Sequence, residues 1–98
     1  MELKQAIKKL TREAERIVYA TRNVPRLNDM NAFAIALIRD LNNGETKEAA
    51  RVASVLCQYL KREEAYRAEG LFRDPWPYAL TWRACETKVK RYIGVLEQ

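Results

Sequence analysis

The sequence predicts an all-α protein, a small four-helix bundle that forms a single domain over residues 1–98. Apolar residues recur at alternating spacings of four and three over long stretches, which is the periodicity of amphipathic helices. The 98 residues are 48% apolar and include only three glycines and three prolines, a composition that favours one helical core. The breaks between the periodic stretches span about four to seven residues, and connections that short favour antiparallel neighbours.

The first helix is predicted over residues 2–22. One narrow apolar seam runs along it, formed by Leu3, Ile7, Leu10, Ala14, Ile17 and Thr21. The run 23–25 ends with Pro25, which cannot continue a helix, so the first helix stops there. The seam predicts packing against other helices.

The second helix is predicted over residues 30–41, with Asn28 or Asp29 as its N-cap. The run 33–38 is apolar almost all the way round, which predicts a core helix buried on most sides. Asp40 lies near the C-terminus, where the helix macrodipole disfavours an acid, so we expect an arginine to pair with it. The Asn-Asn-Gly sequence at 42–44 then ends the helix, because these residues tolerate the left-handed conformation.

The third and fourth helices are predicted over 46–69 and 75–97. The third has one apolar face formed by Ala49, Val52, Ala53, Leu56, Tyr59 and Leu60, followed by a very polar continuation to Gly70. Asp74 followed by Pro75 predicts the start of the fourth helix, since the carboxylate accepts orphan amides and proline fits the first helical position. The fourth helix repeats the four-three spacing at Tyr78, Trp82, Cys85, Val89, Tyr92 and Leu96.

The residue content argues against enzyme chemistry. The chain has no histidine, and its only serine is Ser54, so most acid/base, nucleophilic and metal sites lack their usual residues. Three glycines cannot form the phosphate-binding and nucleophile motifs that need glycine at fixed spacing. The acidic pairs Glu13/Glu15, Glu45/Glu48 and Glu63/Glu64 lie among Lys and Arg, which is typical of solvated surface charge. We therefore expect no catalytic residue, no metal ligand, no cofactor and no enzymatic activity.

The two cysteines, Cys57 and Cys85, both fall within apolar helical stripes, which predicts buried thiols. A disulfide and a redox or ligand role are the alternatives. Unpaired thiols fit the cytoplasm. The longest apolar run, 32–38, is far shorter than the roughly 20 residues that span a bilayer, and the first five residues do not resemble a signal peptide, so we expect no membrane contact.

The basic residues are concentrated in the first helix. Residues 1–26 contain seven Lys and Arg against three Glu, a local charge of +4 out of +5 for the whole chain. Four of them recur every four residues and form a stripe: Lys4, Lys8, Arg12 and Arg16. The stripe has three interpretations: it follows a nucleic acid backbone, binds an acidic protein, or is a solvated face that keeps the protein soluble.

The second candidate surface lies in residues 66–82, which contain both tryptophans. Tryptophan, tyrosine and arginine dominate binding hot spots, and the residues assigned here to partner binding are Phe72, Arg73, Trp76 and Tyr78. Alternatively, Leu71, Phe72 and Trp76 fold back and plug the end of the bundle. Trp82 is expected in the core.

These surfaces predict a non-enzymatic binding protein that docks on a larger protein partner as an adaptor or inhibitor. The alternative is a nucleic-acid-associated regulator that uses the basic first helix. The chain is expected to be a monomer or a homodimer, because the two long seams also suit pairing between chains.

Overall fold

The computed structural model describes residues 1–72 and 82–98, which form an all-α four-helix bundle. Helix α1 spans Leu3–Thr21, α2 spans Asn28–Asn42, α3 spans Thr46–Ala68 and α4 spans Trp82–Leu96. A short 3-10 turn, Pro25–Leu27, precedes α2. The predicted fold class is confirmed, and the bounds of the first three helices lie within two residues of the predicted ones. The predicted start of the fourth helix at Asp74 and Pro75 lies outside the described residues.

The helices run up and down in turn and close into a ring. Connections of six residues after α1 and three after α2 force these neighbours to be antiparallel. The C-terminal part of α3 lies beside the start of α4, and Thr46 at the other end of α3 lies beside Leu96. Helix α1 contacts α4 as well as α2, so the first and last helices of the chain are neighbours in space.

The predicted seams form the core. Leu10, Ile17 and Val89 are fully buried, and Trp82 is only 1% exposed, which confirms its assignment to the core. Leu3 is the exception, because this side chain is 46% exposed. It is the first residue of α1, so it lies at the end of the bundle.

Helix α2 is less buried than its sequence predicts. Its buried apolar stripe consists of Met30, Ala34, Leu37 and Leu41. Ile35 is 49% exposed and Ile38 is half-buried, so the prediction of a helix enclosed on most sides is wrong. The reason is the ring arrangement: α2 packs mainly against α1 and α3, and its outer side faces solvent.

The predicted N-cap of α2 is also wrong. The helix begins at Asn28, the capping position is Leu27, and no side chain caps it. The 3-10 turn replaces the cap, because the Leu27 N–H donates to the Val24 carbonyl at 2.8 Å and the Asn28 N–H donates to the Pro25 carbonyl. The end of α2 follows the prediction, since Gly44 has φ +71° and its N–H donates to the Leu41 carbonyl.

A first prediction compares two residues of α2. Leu37 is fully buried, so Leu37→Ala should lower the free energy of unfolding by about 2 to 5 kcal/mol. The matched control, Ile35→Ala, removes an aliphatic side chain that is already half exposed and should cost less than about 1 kcal/mol. Chemical denaturation measures both. Equal losses would mean that the two sides of α2 are equally buried in solution.

Candidate functional site

Phe72 packs against the end of the bundle yet remains partly exposed. Its ring meets the Tyr66 ring edge-on at a centroid distance of 5.3 Å, and the Arg26 guanidinium lies 3.9 Å from the ring centre. The side chain is nevertheless 43% exposed, and that of Leu71 is 55% exposed. We call Arg26, Glu63, Tyr66, Leu71 and Phe72 the Phe72 corner.

An ion pair between Arg26 and the buried carboxylate of Glu63 holds the corner in place. Glu63 is 2% exposed, and Arg26 Nη1 lies 2.8 Å from both of its carboxylate oxygens. Arg62 Nε lies 3.8 Å from Oε2 of the same carboxylate. This pair joins the turn before α2 to the C-terminal part of α3, so the guanidinium over Phe72 is fixed from below by a charge-assisted contact.

The prediction that Glu63 is solvated surface charge is therefore wrong. Glu63 follows Leu60 by three positions and Leu56 by seven, so it continues the buried face of α3. That register was visible in the sequence and could have identified the residue. Arg26, which belongs to no periodic pattern, could be recognised as its partner only from the fold.

The aromatic and arginine contacts continue along α3. The Arg62 guanidinium lies 4.7 Å from the centre of the Tyr59 ring and 5.8 Å from that of Tyr66. Tyr59 in turn packs against Phe33 of α2 at 5.5 Å. Each guanidinium therefore lies over aromatic rings while its outer side is accessible, an arrangement typical of binding surfaces.

The described residues on both sides of 73–81 are anchored. Phe72 is held by Tyr66 and Arg26, and Trp82 is buried. Arg67 donates to Glu64 at 2.8 Å, which lowers the pKa of the Glu64 carboxyl, and the charge of Arg83 in α4 lowers it further. Of the residues assigned to partner binding, Phe72 is at this end of the bundle, whereas Arg73, Trp76 and Tyr78 lie outside the described residues.

The basic stripe is on the surface. Lys4, Lys8, Arg12 and Arg16 are all exposed. Arg16 Nη1 lies 3.6 Å from Glu13 Oε1, and the other three form no ion pair with the described part of the chain. Sequence reasoning did not connect this stripe with α4, whose Lys88 Nζ lies 3.5 Å from the same Glu13 oxygen.

Glu13 is buried between α1 and α4, so its prediction as surface charge is also wrong. It is 7% exposed, and the Cys85 thiol donates to its Oε2 at 3.7 Å. Burial raises the pKa of Cys85, and the Glu13 charge raises it further. Burial also raises the pKa of Cys57 to about 11. Both cysteines are buried and unpaired, which confirms the predicted thiols and contradicts the disulfide alternative.

Asp40 is buried without the ion pair that we expected, since no Lys or Arg of the described residues lies within 4.0 Å of its carboxylate. It follows Phe33 by seven positions, so it is on the side of α2 that faces α3. The Glu45 N–H donates to the Asp40 carbonyl at 2.9 Å, which brings Asp40 next to the start of α3. The positive end of the α3 macrodipole there favours a carboxylate.

An open depression of about 490 Å³ lies between the start of α3 and the end of α4, lined in part by Arg51, Ser54 and Leu96. The Ser54 hydroxyl donates to the Ala50 carbonyl at 3.0 Å. Within residues 1–72 and 82–98, no group of three His, Cys, Asp or Glu side chains is arranged to hold a metal ion, and no helix is long and apolar enough to cross a membrane.

Comparison with known proteins gives no relative: no protein-family model, no curated protein and no solved structure matches this chain. The contacts and exposure of the described residues are therefore the basis for a proposed function.

A second prediction tests the pair that holds the Phe72 corner. Arg26→Met leaves the Glu63 carboxylate buried without its main partner and should cost about 3 to 5 kcal/mol of unfolding free energy. Glu63→Gln leaves Arg26, whose side chain is 28% exposed, able to reach water, and should cost less. A double-mutant cycle with both changes should give a coupling energy above about 1 kcal/mol. Additive losses would show that the two charges do not stabilise each other.

A third prediction concerns thiol reactivity. A pKa of about 11 for Cys57 in place of 9.0 lowers its thiolate fraction roughly a hundredfold near neutral pH, and the thiolate is the nucleophile. The folded protein should therefore react with a colourimetric disulfide reagent far more slowly than the guanidinium-unfolded chain, in which both thiols react. Rapid labelling of the folded protein would contradict the burial of both residues.

Proposed function

We propose that this protein is a non-enzymatic binding protein that docks through the Phe72 corner on a larger protein, as an adaptor or inhibitor. The observation that supports the proposal best is the pair of exposed apolar side chains, Leu71 and Phe72, beside a guanidinium that a buried carboxylate fixes. Exposed apolar groups are common on proteins, but these two are adjacent, and Phe72 is held by Arg26 and Tyr66.

Fixing the corner in advance favours binding. A side chain that is ordered before association loses less conformational entropy when the complex forms. Phe72 is restrained on two sides while 43% of its surface remains available to a partner. Arg26 presents a planar donor group next to that apolar surface, and such aromatic and arginine neighbours are frequent in hot spots.

The charges around the corner define the kind of partner. Arg22, whose guanidinium stacks 4.3 Å from the Tyr19 ring, and Arg62 are exposed on this part of the molecule. Of the acids at this end, Glu63 pairs with Arg26 and Glu64 pairs with Arg67, whereas Asp29 and Glu69 are exposed and form no ion pair with the described residues. The cations still outnumber these two acids, so the expected partner surface is an apolar pocket with carboxylates at its rim.

The absence of histidine from the sequence and the engaged hydroxyl of Ser54 support a function without catalysis. Two buried, unpaired cysteines support a reducing compartment, so the proposal assigns the protein to the cytoplasm.

A fourth prediction tests the corner against a matched surface site. A partner captured from the native host after nuclease treatment is identified, purified and titrated calorimetrically. Leu71→Ser and Phe72→Ala together should weaken its binding at least tenfold, because they remove the central apolar contacts. Ile35→Ser removes a side chain of similar exposure from the outer side of α2 and should leave Kd unchanged.

Thermal melting of the same variants separates binding from folding. A small change in Tm together with a large loss of affinity supports docking at the corner. Unchanged affinity in the Leu71 and Phe72 variant would refute the proposal, and so would a loss of affinity equal to that of the Ile35 variant.

A further inference from the structure

The positive charge of the protein is concentrated on two helices that are far apart in sequence. Helices α1 and α4 together contain nine Lys and Arg against three Glu, a net charge of +6. Helices α2 and α3 contain six Lys and Arg against five Asp and Glu, a net charge of +1. Because α1 and α4 pack side by side, most of this charge combines on one side of the bundle. Arg83 and Lys90 are excluded from it, since they interact with Glu64 of α3 and with Glu86 on the side of α4 that faces α3.

The acids of these two helices do little to offset that charge at the surface. Glu13 is buried and lies between Arg16 and Lys88. The Glu86 side chain is 14% exposed and pairs with Lys90 at 2.9 Å. The Glu86 charge raises the pKa of Cys57, a residue of α3, so Glu86 lies on the side of α4 that faces α3. Among the acids within α1 and α4, Glu15 alone is left exposed, on the same side of α1 as Lys8 and Arg12, and Glu2 and Glu97 are exposed next to the helix ends.

The basic side chains form two adjacent rows. The stripe on α1 advances four residues at a time, about 6 Å along the helix axis. Glu13 contacts both Arg16 and Lys88, which places Lys88 beside the C-terminal part of the stripe, and Arg91 follows Lys88 on the same side of α4. Towards Lys4 the stripe turns gradually away from α4, because steps of four residues slightly exceed one helical turn. We call these residues the α1–α4 basic face: Lys4, Lys8, Lys9, Arg12, Arg16, Lys88 and Arg91. All are exposed except Lys88, which is half-buried.

We propose that the α1–α4 basic face binds the phosphate backbone of double-stranded nucleic acid without reading its sequence. A row of cations with few competing acids suits a regular polyanion, because binding releases the counterions that the phosphates hold. The proposal is independent of the Phe72 corner, which uses other residues.

The surroundings of the face favour a duplex over a single strand. Proteins that hold single strands stack the bases on exposed aromatic rings. In the described parts of α1 and α4, Trp82 and Tyr92 are buried, and Tyr19, close to the C-terminal end of α1, is the exposed aromatic residue. One exposed ring beside a row of cations does not form the series of stacking platforms that single-strand binders use, so the contacts should go mainly to the backbone, which carries no base preference.

The test compares two charge reversals of equal size. Lys8→Glu with Arg12→Glu changes the basic face, and Lys47→Glu with Arg51→Glu changes exposed residues near the start of α3. Each pair lowers the net charge from +5 to +1, since each reversal removes two charges. Circular dichroism is used first to check that both variants are folded. Fluorescence anisotropy then measures binding to short labelled DNA duplexes of two unrelated sequences, and to one strand of each alone, between about 50 and 200 mM salt. Unlabelled polyglutamate is added as a competitor in a separate titration.

The unaltered protein should bind both duplexes about equally, with an affinity that falls steeply as salt rises. The Lys8 and Arg12 variant should lose at least about tenfold in affinity and should flatten the logarithmic salt slope by about 2, whereas the Lys47 and Arg51 variant should stay within about threefold.

Three outcomes would overturn the proposal: no binding at tens of micromolar protein in low salt, equal losses in the two variants, or tighter binding to the single strand. Displacement of the duplex by polyglutamate at equal charge would also overturn it in favour of an acidic protein partner. Binding to the partner of the Phe72 corner should not change in either variant, so the two proposals fail separately.

Discussion

A carboxylate buried in an apolar seam needs a cation or hydrogen-bond donors beside it, and two such carboxylates fix how the helices of this bundle meet. Moving an unpaired carboxylate out of water costs several kcal/mol, so a fold that buries one has to bring a cation or hydrogen-bond donors to it. Glu13 on α1 and Glu63 on α3 both occupy seam positions. The first meets Lys88, Arg16 and Cys85, and the second meets Arg26.

Each buried carboxylate also positions a candidate binding surface. The pair of Glu63 with Arg26 sets the guanidinium on which Phe72 stacks. The contact of Glu13 with Lys88 sets the cations of α4 beside those of α1. Such pairs add little net stability compared with apolar residues of equal volume. They do raise the free energy of other helix registers, because sliding a helix by one turn would leave a buried charge without its partner. The two surfaces are therefore fixed by the register of the bundle.

The sequence was sufficient for the fold class because helical periodicity and turn residues are local properties. The four-three spacing located the buried residues of α1 and α4, and Gly44 marked the end of α2. What a pattern cannot show is how many neighbours a helix has. The apolar run in α2 predicted burial on most sides, but two neighbours leave Ile35 exposed. The adjacency of Lys88 to the stripe of α1 is another property of the closed ring, so it was not visible in the sequence.

Glu13 and Glu63 were assigned to the surface because they lie among Lys and Arg in the sequence, although Glu13 follows Leu10 by three positions and Glu63 follows Leu60 by three, on the buried faces. For these two glutamates, the position in the helical repeat predicts burial better than the residue type does. A lysine or arginine on an apolar seam can extend to solvent along its long stem, whereas the shorter glutamate has less reach and needs a partner nearby. An acid at a seam position of a helical bundle therefore predicts a cation on the facing helix or turn, although only the fold identifies that cation as Arg26 for Glu63 and Lys88 for Glu13.

The two surfaces use separate residues and depend on different forces. The Phe72 corner presents apolar area beside guanidinium groups, and burial of apolar area is only weakly sensitive to salt. The binding proposed for the α1–α4 basic face is driven by counterion release, so its affinity should fall steeply as salt rises. If both proposals hold, the protein brings a nucleic acid and a protein partner together, and a direct contact between those two molecules then forms at a high effective concentration. Bringing two macromolecules together in this way uses only the surface of a 98-residue chain and requires no catalytic group.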